Sequence, residues 1–282
     1  MATAQRYFKV DKIPAHGDIA NPASDWQRIQ RVSIGNVGID TYSQSALIDE
    51  VLDHAFNGCD TRQIVTVNAQ LYLLADKSLR YRECLNRAEY LCADGMPLVW
   101  ACNQLGGLRI PRIAGVDLIE GLCRRGATRG LSVFFLGGRP ETAELTAGIL
   151  SRRYPGLKIA GFSCPDWGFE KQSETLDPVL NQIARAKPHI LFAGLGAPKQ
   201  EFLIDEHIRR LKVPVAIGIG GSFEILSGSL LRAPEWMQTG GLEWAFRLIQ
   251  EPGRLWKRYL FGNMGFLWSV TRWRLLAMRS GS

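Results

Sequence analysis

The strongest constraint on this chain is an alternation. Short runs that are apolar at almost every position are separated by longer stretches with helical spacing. LSVFFLGG (131–138) is the plainest of the runs, and RQIVTVN (62–68), AEYLCAD (88–94), LKIAGF (157–162), HILFAGLG (189–196) and VPVAIGIGG (213–221) are of the same kind. A strand wetted on one side alternates apolar with polar residues, whereas a continuous apolar run is covered on both faces. RVSIGNVGI (31–39) reads as one further strand. Helical spacing follows over Ser45–Phe56, from Ala69, over 96–105, 116–128, Glu141–Arg153, Asn181–Ala186 and Lys199–Leu211. Strands separated by helices predict an α/β fold, a largely parallel Rossmann-like sheet covered by helices. After about Leu231 the strand signal stops and helical, Arg/Trp-rich sequence takes over. The expected organisation is a loose N-terminal leader (1–30), an α/β core (31–230) and a C-terminal helical, membrane-associating appendage (231–282).

Charge follows the same division. The net charge is +7, and from Leu231 onward eight Arg or Lys face three Glu, while the same stretch holds five of the eight tryptophans. Trp and Arg interleaved, without a spanning segment, suit the headgroup region of an anionic bilayer; a solvated basic helix packed on the core is the plainer reading. The longest candidate span, Leu260–Val270, falls short of the roughly 18 apolar residues a transmembrane helix needs. Residues 1–26 lack the apolar core of a signal peptide, which predicts a cytoplasmic protein that is soluble or peripheral. The six cysteines include no CxxC pair, and the four histidines have no metal-binding spacing, so reduced, mostly buried thiols are expected and neither metal nor cofactor is called for.

Ligands of parallel α/β sheets bind beyond the carboxyl ends of the strands. Two glycine turns fall there, Gly137-Gly138 before the helix at Glu141, and Gly194-Leu195-Gly196 before the helix at Lys199. A glycine turn that opens a helix offers free N–H groups to phosphate oxygens, although neither is a full GxGxxG and a plain tight turn accounts for each alone. Thr66 and Asn68 end one strand and share a face; Asn68 also fits as a helix cap. Asp94 ends the next strand and is placed to cap the helix at Met96. Arg112 and Gln200 complete a polar set at the same predicted edge. No DxD occurs, so a diphosphate ligand would be neutralised by backbone N–H groups and by Arg or Lys.

The collinear motifs TVN (66–68), ADGMP (93–97), RIAGVD (112–117), FLGG (135–138), GLGAPKQE (194–201), RAPEW (232–236) and GLEWAFRLIQEPGRLWKRY (241–259) closely resemble bacterial glycosyltransferase family 26, the WecG/TagA/CpsF family. The resemblance implies an inverting, metal-independent transfer of a hexose from a UDP-sugar to a polyprenyl-diphosphate-linked saccharide at the inner face of the bacterial plasma membrane, in surface or exopolysaccharide biosynthesis. It implies Asp94 as general base, with Thr66, Asn68, Arg112 and Gln200 beside it. Gly137, Gly138, Gly194, Gly196, Lys199 and Glu201 form the expected donor-binding set. Arg247, Arg254 and Arg258 match the family's appendage arginines, expected on the lipid diphosphate. The loop FSCPDWGFEK (162–171) looks closer to the xanthan-type β-glucosyltransferase branch, which puts UDP-glucose narrowly ahead of UDP-N-acetylmannosamine as donor. A homo-oligomer stays open.

Two rival readings come from other classes. A Rossmann-like oxidoreductase would need a strand followed by GxGxxG and an acid some twenty residues on, a pattern the chain lacks. A non-catalytic basic module binding RNA or anionic lipid accounts for the tail but leaves Asp94, Thr66 and Asn68 without a purpose; no nucleic acid is expected as a partner.

Overall fold

The computed structural model describes residues 10–12, 30–106, 110–256, 262, 265, 266 and 268–272. The chain opens with β1 (Val10–Lys12), β2 (Gln30–Ile34) and β3 (Val37–Asp40), a small antiparallel sheet in that order. Residues 10–12, expected in a loose leader, therefore pair with β2; the rest of 1–29 lies outside the described residues. RVSIGNVGI is a hairpin rather than one strand. Gly35 takes a φ of 58° at the first turn position, the role glycine fills in a two-residue hairpin turn ahead of Asn36.

Next come α1 (Gln44–Asn57), β4 (Arg62–Val67), α2 (Ala69–Lys77), α3 (Leu79–Arg87), β5 (Tyr90–Ala93), α4 (Met96–Gly106) and α5 (Gly115–Ala127). The second half holds β6 (Ser132–Gly137), α6 (Thr142–Arg153), β7 (Lys158–Ser163), α7 (Ser173–Ala186), β8 (Ile190–Gly194), α8 (Lys199–Leu211) and β9 (Val215–Gly218). Three short helices follow, α9 (Ser222–Leu226), α10 (Glu235–Thr239) and α11 (Glu243–Gln250). Strands β4 to β9 form one six-stranded sheet, order β5-β4-β9-β8-β6-β7, in which every pairing is parallel.

Neighbouring strand residues point to opposite cores, as a doubly covered sheet requires. Ile64, Val133, Phe135, Ile190 and Ile217 pack under α1, α5 and α6. On the other face Val65, Val67 and Leu91 meet α2, α3 and α4, while Phe134, Leu136, Leu191 and Ala216 meet α7 and α8. The hairpin is tied to the edge strand β5 by one buried carboxylate. Asp40 accepts from Arg31 Nε (2.6 Å) and Nη2 (2.9 Å) and from the Leu91 N–H (2.8 Å). Ser78 both ends α2, its N–H donating to the Leu74 carbonyl, and starts α3 by accepting from the Tyr81 N–H. That double use divides what reads in the sequence as one helix opening at Ala69. Of the six free cysteines, Cys84, Cys92, Cys102 and Cys123 are buried as expected, whereas Cys59 and Cys164 are exposed.

The stretch after Leu231 folds back on the sheet. Ion pairs Arg232–Asp117, Arg112–Glu243 and Arg139–Glu251 join it to the core. Further on, Phe266 is fully buried against Tyr72 of α2, rings edge to face at 5.2 Å, and Ser269 donates to Asp76. Among the described residues no helix is long and apolar enough to cross a membrane.

Candidate active site

One cleft opens at the carboxyl ends of β4, β5, β8 and β9, roofed by residues 238–254. Thr66, Asn68, Asp94, Arg112 and Gln200, spread over 135 positions of sequence, all line it. The parallel register brings Thr66, Asn68, Asp94 and Gln200 together, since each lies at or just beyond a strand end or at the start of the following helix, and the loop before α5 adds Arg112.

Each polar group is fixed by its local backbone. Thr66 Oγ1 donates to the Gly218 carbonyl on β9 (3.3 Å). Asn68 is the N-cap of α2, its Oδ1 accepting from the Gln70 and Leu71 N–H groups, so the capping reading and the cleft position coexist. Asp94 differs from the expectation. Its N–H donates to the Val67 carbonyl, but its carboxylate caps nothing, and among the described residues it accepts no hydrogen bond; the turn at Gly95 (φ 101°) aims it into the cleft instead. Loss of water pushes its carboxyl up to about 6, against the opposing pull of Arg112 and Arg247 and with help from Glu243 and Asp117. Arg112 Nε stands 3.9 Å from Asp94 Oδ1, while Arg112 Nη2 is bonded to Glu243.

Gln200 and Glu201 resolve into different roles. Gln200 Oε1 accepts from the Gly196 and Gly220 N–H groups (3.1 and 3.2 Å), stitching the turns after β8 and β9. Its Nε2 donates to Glu201 Oε1 at 2.7 Å. The amide oxygen is thus engaged by backbone. Glu201, expected among the donor contacts, is fully buried behind Gln200; burial pushes its carboxyl up to about 7. The separation follows from helix geometry, because successive residues at the start of α8 fan out by about 100°. Lys199 turns toward the surface, where it pairs with Glu170 (3.3 Å) and lies over the Trp167 ring. Gly218 on β9 is small by necessity, since a Cβ there would sit 2.7 Å from Gln200 Nε2.

Of the glycine turns, Gly196 lines the cleft. Gly137, Gly138 and Gly194 sit alongside at the β6–β8 edge, joined by the Gly138 N–H to the Gly194 carbonyl (2.9 Å), with Gly138 and Gly194 against Phe223. Arg247 and Arg254 line the cleft; Arg258 lies outside the described residues. Glu243, Trp244, Ser222 and Gln238 also line it, although the sequence pattern does not single them out as site residues. The one signal for any of them is the i, i+4 spacing of Glu243 and Arg247, which puts both on the cleft side of α11.

A parallel sheet covered by helices, with a part-buried carboxylate and three arginines gathered at its carboxyl edge, is an α/β fold whose polar cleft lies where such sheets bind ligands. Its family follows from comparison: the model described as glycosyl transferase WecG/TagA/CpsF family matches residues 32–280, and the chain belongs to that family. It is a glycosyltransferase. Two relatives are named N-acetylglucosaminyldiphosphoundecaprenol N-acetyl-beta-D-mannosaminyltransferase. The one from Bacillus spizizenii is 35% identical over 197 residues, 70% of this chain and 74% of its own length. The one from Bacillus subtilis is 33% identical over 232 residues, 82% of this chain and 88% of its own.

Proposed function

We propose that this glycosyltransferase moves an N-acetylmannosaminyl group from a UDP-linked donor to a polyprenyl-diphosphate-linked N-acetylglucosamine, inverting the anomeric centre. The observation that carries the reading is Asp94, a part-buried carboxylate that accepts no hydrogen bond among the described residues and faces arginines in the cleft. In the reaction an acceptor hydroxyl oxygen bonds to the anomeric carbon as the bond from that carbon to the UDP oxygen breaks. Asp94 takes the hydroxyl proton, and UDP leaves with the bonding electrons. Arg112, Arg247 and Arg254 balance the diphosphate charge. Thr66 and Asn68 shape the floor, and Gln200 fixes the backbone N–H groups of the turns around it. The names of the relatives support N-acetylmannosamine over the glucose that the 162–171 loop suggested.

The lipid-linked acceptor brings the enzyme to the bilayer. Trp236, Ile249, Trp256 and Trp268 are exposed, at 65%, 77%, 45% and 72%, in the stretch that carries the positive charge. Bulky indoles beside arginines suit an anionic headgroup layer, at the cytoplasmic side where UDP-sugars are made.

The test is UDP release from UDP-N-acetylmannosamine and UDP-glucose, with and without a short-chain prenyl-diphosphate-N-acetylglucosamine. Acceptor-dependent release from the first, lost in Asp94→Asn with UDP binding retained, is the expected result. Near-normal turnover in Asp94→Asn refutes the base assignment, and preferential turnover of UDP-glucose refutes the donor. Sedimentation with anionic vesicles should weaken in a Trp236→Ser, Ile249→Ser double variant; undiminished binding refutes the membrane face.

A further inference from the structure

We propose that Glu243 is a positioning residue, which holds Arg112 by one edge of its guanidinium and so keeps that group from closing on Asp94. The inference rests on the reading of Asp94 as the base. Arginine engages a carboxylate most strongly side-on, through Nε and one terminal nitrogen. The protein contains an example of the closed form, because Arg31 grips Asp40 with Nε at 2.6 Å and Nη2 at 2.9 Å. Arg112 presents the same two nitrogens, yet its Nη2 is taken by Glu243 and its Nε stops 3.9 Å from Asp94 Oδ1. That distance is beyond a hydrogen bond. A closed, side-on grip would leave Asp94 a weaker base, because two charge-assisted hydrogen bonds favour the ionised form. Asp94 is spared this because a second carboxylate competes for the fork.

Glu243 comes from α11, and its placement is set by close packing. Gly241, two residues before it, has a φ of 74° and lies so near α4 that a Cβ would come within 2.8 Å of Met96. The chain that delivers Glu243 thus rests on the first turn after Asp94. The charged groups facing Asp94 are Arg112 from the loop before α5, Asp117 from α5, and Glu243 and Arg247 from α11. Asp117 is already paired with Arg232. Glu243 is therefore the carboxylate in contact with Arg112 that can hold it back.

The experiment is the pH dependence of kcat/KM with UDP-N-acetylmannosamine and the short-chain acceptor, for wild type, Glu243→Gln and Glu243→Asp. In Glu243→Gln the acidic limb should move down by one pH unit or more and the plateau should fall at least tenfold; Glu243→Asp should recover part of both. A lowered plateau with an unmoved limb means that Glu243 merely holds the tail in place, and overturns the proposal. Carbon-13 NMR titration of the Asp94 carboxyl in the free protein reads the same effect without turnover. Its midpoint should drop in Glu243→Gln, and the drop should be clearly smaller when Arg112 is already Ala, where only the direct effect of the Glu243 charge is left. An unchanged midpoint, or an equal drop with and without Arg112, overturns the proposal. Normal turnover in Asp94→Asn would instead remove the base reading, while the titration still decides whether Glu243 holds Arg112.

Discussion

Replacing Glu201 with Gln should make the protein more stable, and only above a defined pH. Glu201 is fully buried against β4 and β9, and its carboxyl is pushed from the ordinary 4.5 up to about 7, chiefly by loss of water. Between those values the folded protein keeps a proton that the unfolded chain releases. The contribution of Glu201 to stability is therefore greatest below about pH 4.5 and is lost as the pH rises through about 7. The difference of 4.5 from about 7, at about 1.4 kcal/mol per pH unit, amounts to about 3 kcal/mol lost by pH 8. A glutamine carries no charge to bury, and its Oε1 still accepts from Gln200 Nε2. The variant should match wild type near pH 4.5 and exceed it by about 3 kcal/mol at pH 8. Urea unfolding followed by tryptophan fluorescence at both pH values measures this. Parallel stability curves for the two proteins across that range would refute the buried titration.

Other outcomes follow from the same geometry. Wild-type kcat/KM should rise with unit slope through pH about 6 and then level, because Asp94 must lose its proton to act; a flat profile from pH 5 to 8 counts against it. Asn68→Ala removes the acceptor of two N–H groups at the start of α2, and should cost about 1 kcal/mol in chemical unfolding, whatever it does to turnover. Phe266→Ala empties a fully buried ring site on α2 and should cost about 3–5 kcal/mol; a loss under about 1 kcal/mol would mean that this part of the chain is not docked.

Most strands were legible because a doubly covered strand has no polar side to hide; LKIAGF is the exception, an edge strand with Lys158 and Phe162 exposed. RQIVTVN, LSVFFLGG and HILFAGLG stand out from their surroundings, and α8 falls on Lys199–Leu211 as its spacing predicts. The hairpin was hidden by the same rule, since Val32, Ile34, Val37 and Ile39 are all buried and the run reads straight across its Gly-Asn turn. Helix α7 begins at Ser173 rather than near Asn181, because it accommodates Pro178 in its interior, where proline ordinarily argues for a break. At the site, the strand-end residues could be read from position alone. Glu201 could not, because nothing in KQE says which of three adjacent side chains turns inward. Glu243 was illegible for a different reason: its partner Arg112 is 131 residues away, and only the return of the chain over the sheet makes them neighbours.

That return has a mechanical consequence. Residues 232–251 are fastened to the core three times, by Arg232 to Asp117, Glu243 to Arg112 and Glu251 to Arg139. A strip pinned along its length cannot swing like a free arm. The exposed Trp236 and Ile249 ride on that strip, so the proposed membrane face and the cleft move as one piece, and a bilayer that holds the first sets the depth at which an acceptor enters the second.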